Sequence, residues 1–147
     1  LTDENQLFDG VIPLVKEHLK PALLYNDNLK NTVSDGAIRR LCMRVNVPDL
    51  LLLAQADHFG RTTPEALKRE FPEGQWLKQR CEDLNILRSP QRPLLMGRHL
   101  QSLGLKPGPL MGKILKEAFE LQLDGHYSTV EEFMEWAKTK INTRKSL

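Results

Sequence analysis

Residues 103–118 read Leu103-Gly-Leu-Lys-Pro-Gly-Pro-Leu-Met-Gly-Lys-Ile-Leu-Lys-Glu-Ala118. A leucine-rich helix ends at Gly104. The turn Lys106-Pro-Gly-Pro109 follows, and an amphipathic helix opens behind it. Pro109 suits a first helical turn, where its missing N–H is not needed. Gly108 lets the backbone turn tightly there. Gly112, one turn in, bares the helix backbone, and Lys106 and Lys113 flank the corner. A helix start with free amides, a positive dipole end and nearby lysines favours an anion such as phosphate. The competing reading is two packed helices, with Gly112 small because a neighbouring helix lies close.

Working outward, helical periodicity dominates the 147 residues, and no stretch alternates as a strand does. The chain is therefore expected to be all-α, with about eight helices in two small lobes, 1–88 and 89–147, and no sheet. Ser89 to Pro93, with two prolines in five residues, marks the boundary. Val11, Leu14, Val15, His18 and Leu19 form a first stripe, with Pro13 in the first turn and Pro21 ending that helix. Tyr25 to Thr32 is polar and reads as a loop or a short turn. Ser34 caps a helix through Ile38, Leu41, Cys42 and Val45. Pro48 opens the next, with Leu50 to Phe59 as its buried centre. Thr63-Pro-Glu65 starts a short helix, which Pro72 and Gly74 break. Trp76 to Leu87 forms another. Ser128-Thr-Val-Glu131 has capping-box spacing ahead of Phe133 and Trp136.

Composition narrows the function classes. The sequence is 40% hydrophobic and 27% charged, as soluble domains are. No apolar run approaches the ~20 residues of a membrane span, and a cytoplasmic protein is expected. Cys42 and Cys81 lack CxxC spacing and sit at apolar helical positions, so buried free thiols are expected. The chain starts at Leu1 without methionine and reads as a piece of a longer protein. Its charge is uneven. Residues 1–75 hold nine Lys/Arg against eleven Asp/Glu, and residues 76–147 hold twelve against eight. Arg88, Arg92, Arg98, Lys106, Lys113 and Lys116 follow one another with no acid between them. This asymmetry points to an anionic partner for the C-terminal half.

Catalytic patterns are missing. There is no Gly-x-Ser-x-Gly elbow, no phosphate loop of the Walker type and no Gly-x-Gly-x-x-Gly. His18 and Asp57 are pieces of a possible metal site, but two ligands are too few. The expectation is that the pair makes a buried His–Asp hydrogen bond where the two lie near each other, or that the carboxylate serves as a cap.

The stretch Leu94 to Gly125 resembles the C-terminal helical region of the tRNA nucleotidyltransferase (CCA-adding enzyme) and bacterial poly(A) polymerase family. The match runs through Gly97, Leu100, Gly104, Pro107, Gly108, Pro109, Gly112 and Leu115. His99 departs from the pattern, which has aspartate there. The first half resembles the late part of an HD-type helical domain. His18 stands where that family has a motif histidine and Asp57 where it has its last aspartate, so the pair would be remnant positions of an HD-type metal site. The His-Asp dyad itself and a nucleotidyltransferase head are not in this sequence.

The resemblance implies a helical part that positions RNA, tRNA above all, for 3′-end nucleotide addition. Lys106, Gly108, Leu110, Met111, Gly112, Lys113 and Arg98 would hold RNA phosphate. The parent enzyme would use magnesium with ATP or CTP in its head. No catalytic residue, metal or cofactor is expected in this chain itself. The alternatives are a fragment of an HD-type metal-dependent phosphohydrolase and a helical protein-interaction module.

Overall fold

The computed structural model describes residues 2–145. Its described residues are helical and contain no strand. They fall into two compact units, divided between Gln91 and Arg92.

The first unit holds α1 (Thr2–Glu17), α2 (Lys20–Lys30), α3 (Asp35–Arg44), α4 (Val47–Phe59), α5 (Pro64–Leu67) and α6 (Pro72–Asp83). Local chemistry sets several starts. The Ser34 hydroxyl accepts from Ala37 N–H, Asn46 Oδ1 from Asp49 N–H and the Thr63 hydroxyl from Ala66 N–H. Each side chain satisfies an amide that has no partner inside its helix. The core joins Ile38, Leu41, Cys42 and Val45 to Val47, Leu50, Leu77, Cys81 and Ile86. Arg80 ties α6 to the α3 entry, donating to the Val33 carbonyl and to Asp35, each at 2.9 Å.

Several expectations fail in this unit. Pro21 opens α2 instead of ending α1, so Tyr25 to Lys30 is helical. Pro72 likewise begins α6, and Gly74 lies inside that helix. A proline one or two residues into a helix and one just past its end leave the same local signature. Gly74 is required by packing: a Cβ there would sit 2.2 Å from Phe71 Cε1. Pro13 lies in the middle of α1, where it leaves one carbonyl of the ladder without a donor. The α1 stripe is not core. Val15 is 57% exposed, Val11 and Leu19 are also exposed, and only Leu14 packs on the first core. Leu52 is 67% exposed on α4, since a helix that is apolar all round still turns one side outward.

The second unit holds α7 (Gly97–Ser102), α8 (Pro109–Leu123) and α9 (Val130–Lys145). Its core is Leu95, Leu100, Met111, Ile114, Ala118, Phe133, Ala137 and Ile141. Asp124 and Gly125, the latter at φ 77°, end α8 as expected. The α9 cap is displaced one residue from the expected register. Thr129 and Glu132 form the capping box, with Glu132 N–H donating to the Thr129 hydroxyl and Thr129 N–H to the Glu132 carboxylate. Glu132 also accepts from Ser128 N–H. These donors hold its carboxyl below the usual range, the Ser128 amide contributing most. The depressed value means the cap stabilises at neutral pH and is lost as pH falls through the folded-state value. Glu132→Gln should lower the Tm at pH 7, and the two melting curves should converge in acid; parallel curves at every pH would refute this.

Gln122, buried within the second unit, was expected only as a member of the α8 stripe. Its Oε1 accepts from Leu94 N–H at 2.9 Å, and its Nε2 donates to the Arg92 carbonyl at 2.7 Å. One side chain thus fastens the segment leading into α7. Gln122→Leu strands both backbone groups and should cost about 1–3 kcal/mol in urea unfolding. Gln122→Glu, which keeps the acceptor, should fall between.

Candidate nucleic-acid interface

The corner between α7 and α8 is built from two glycines with different tasks. Gly104 sits at φ 87° after the α7 end, a left-handed position that glycine takes without strain. Gly108 is the α8 N-cap at φ 164° and ψ −175°, extended backbone open to any residue. The expectation that Gly108 is needed for a tight turn is therefore wrong. Its extended carbonyl instead points into the helix and accepts the first ladder bond, from Gly112 N–H at 3.3 Å.

That bond also corrects the donor set. Gly112 N–H is already engaged, and Pro109 has none. The remaining first-turn amides of α8 are those of Leu110, half-buried, and Met111, whose side chain is in the core, and no side chain caps them. Gly112 itself is exposed, and a Cβ built on it meets nothing within 4 Å. The close-neighbour explanation of Gly112 fails, and its bare backbone faces open space.

Lys106 to Pro109, Gly112 and Lys113 are all exposed. Lys113 is the fifth residue of α8, so it stands at the start of the second turn and not within the first. Among the described residues neither Lys106, Lys113 nor Arg98 has a carboxylate partner. Arg98 is exposed on α7. The result is a cationic corner of free amides with one uncovered stretch of helix backbone, a geometry suited to a phosphate oxygen.

His99, the departure from the family pattern, has a defined task. Its Nδ1 accepts from Met96 N–H at 2.9 Å. The side chain at the third helical position thus reaches back to the cap amide, as a carboxylate does in a capping box. The accepting Nδ1 leaves the ring proton on Nε2.

In the first unit His18 and Asp57 line one small cavity of about 20 Å³ together with His58, Arg61 and Glu73. The expected bond between them is not made. His18 Nδ1 pairs with the Val15 carbonyl at 2.6 Å, and Asp57 pairs with Arg61 at 2.8 Å one helical turn on. His58 Nε2 pairs with the Glu70 carbonyl at 2.7 Å, with its Nδ1 3.5 Å from Glu73. No group of three or more His, Cys, Asp or Glu among the described residues is placed to hold a metal. Cys42 and Cys81 are free and buried, as expected. No helix of the described residues is long and apolar enough to cross a membrane.

Fold and site together define an all-helical chain whose second unit presents a cationic, backbone-exposed corner. Over 99 residues, 65% of its length, the chain is 37% identical to the CC-adding tRNA nucleotidyltransferase of Thermus thermophilus. The aligned stretch is 21% of that protein, so the chain spans about a fifth of the relative it matches. No protein-family model matches the chain, and no solved structure matches it significantly.

Proposed function

We propose that this chain is a helical RNA-positioning part of a tRNA nucleotidyltransferase-type enzyme of the cytoplasm. The observation that carries it is the α8 start: two uncapped amides, Leu110 and Met111, beside an uncovered Gly112 and flanked by Lys106 and Lys113. Backbone amides and lysines of this kind hold RNA phosphates without reading bases. Arg98 adds a third cation to the same unit. Similarity to a CC-adding enzyme makes tRNA the favoured RNA.

Nucleotidyl transfer needs magnesium held by clustered carboxylates. Among the described residues no group of three or more His, Cys, Asp or Glu is placed for that ion, and in this reading magnesium with ATP or CTP belongs to a separate head of the parent enzyme. The task left to this chain is to hold RNA so that its 3′ end reaches that head.

The test is affinity of the full chain for fluorescently tagged tRNA and for an unstructured RNA of equal length, measured from 50 to 200 mM salt. Binding to both, weakening linearly in log–log form, is expected. Absence of binding at 50 mM salt would defeat the reading.

A further inference from the structure

Cys42 on α3 and Cys81 on α6 are 39 residues apart, yet their Sγ atoms lie 3.7 Å from one another inside the first core. Both thiols are free. They are not equivalent. Cys42 is 6% exposed and borders a cavity of about 30 Å³ shared with Val45, Asn46, Ile86 and Arg88. Cys81 is fully buried and does not border it. A cavity of that size admits one or two water-sized molecules, and hydrogen peroxide is of that class.

We propose that Cys42 and Cys81 are a peroxide-responsive thiol pair, in which Cys42 is oxidised first and Cys81 closes an intrachain disulfide between α3 and α6. Proton affinities run the same way. The Cys81 hydrogen bond favours the Cys42 thiolate and outweighs burial, lowering Cys42, whereas that bond and burial both raise Cys81. In the first step the Cys42 thiolate attacks one peroxide oxygen. The O–O bond breaks, an S–O bond forms, and the departing hydroxide takes the proton Cys42 released, leaving as water. In the second step the Cys81 sulfur attacks the Cys42 sulfur of the sulfenic acid. The S–O bond breaks, and the displaced hydroxide leaves as water with the Cys81 proton. Two thiols and one peroxide become one disulfide and two waters, two electrons passing from sulfur to oxygen. Closure requires the sulfurs to approach from 3.7 Å to a bond length of about 2.05 Å. This pair lies in the first unit and does not depend on the RNA reading.

The full chain is treated with hydrogen peroxide under native conditions, then unfolded in N-ethylmaleimide and weighed. The expected product has lost two hydrogens, carries no maleimide and yields one Cys42–Cys81 cross-linked peptide that dithiothreitol reverses. Its Tm should rise by roughly 5–10 °C, because the bridge restricts the unfolded chain. Cys81→Ser should stop at a Cys42 sulfenic acid that dimedone traps, and Cys42→Ser should leave Cys81 unmodified. Two maleimide adducts after a dose that oxidises free glutathione would overturn the inference. So would a disulfide that forms only between chains or only in urea. Equal oxidation of the two serine variants would overturn the assigned order. If a variant fails to fold, the wild-type mass and peptide map still decide.

Discussion

Replacing Phe133 with alanine is expected to unfold the second unit or bring it to the edge of unfolding. Phe133 is the largest fully buried side chain among the described residues, and it sits one turn into α9 among Leu95, Leu100, Ile114 and Ala118. Tyr127 meets it edge to face, with centroids 5.3 Å apart. Truncation removes the ring's transfer free energy, leaves a cavity and breaks the aromatic pair. Such changes cost about 3–5 kcal/mol, a large share of what a unit of this size can hold. Urea unfolding followed through Trp136 fluorescence, in a Trp76→Phe background, reads the effect. Phe133→Leu, which fills much of the space, should recover more than half of the loss. A cost under about 1 kcal/mol for the alanine variant would contradict this account of the core.

The features legible in the sequence were those set by neighbouring residues. Ser34, Thr63 and Asp124-Gly125 mark helix ends because a cap is made within three or four positions. Ser128-Thr-Val-Glu-Glu132 fits a capping box in two registers, and only the start of α9 selects Thr129 with Glu132. Proline is ambiguous for a related reason, and α2 and the first turn of α6 were missed at Pro21 and Pro72. The α1 stripe shows a different limit. Periodicity tells which side of a helix is apolar, and says nothing of whether another element covers it.

The candidate site was legible in part. Lys106, Lys113 and Gly112 were visible as a cluster, but the reason for Gly112 was not. A glycine beside a packed helix and a glycine facing open space look alike in one dimension, and the empty shell around its Cβ separates them. Gln122 was hidden because its partners, Arg92 and Leu94, lie about thirty residues away. His99 was noticed as a departure, yet its hydrogen bond to Met96 lies at the capping-box spacing. The spacing was readable there, and the unusual residue type concealed it.

Losing Lys106 and Lys113 together should weaken RNA binding roughly tenfold at physiological salt and flatten its salt dependence by about one to two units of slope, if each lysine neutralises one phosphate. Both side chains are exposed and lack a carboxylate partner among the described residues, so their removal breaks no ion pair and the fold should stand. The loss should be the same for tRNA and for unstructured RNA, because phosphate contacts carry no base information. Gly112→Ala separates the backbone from the charges. Its new methyl meets no atom within 4 Å beyond its chain neighbours and the adjoining helix backbone, and alanine in a helix is favoured over glycine by up to about 1 kcal/mol. The variant should therefore melt higher and still bind RNA less well, because the methyl occupies space a phosphate would use. Opposite signs for stability and affinity in one substitution cannot come from damage to the fold. A folded double-lysine variant with unchanged affinity and slope, together with a Gly112→Ala protein that binds as before, would reduce this corner to a connection between α7 and α8.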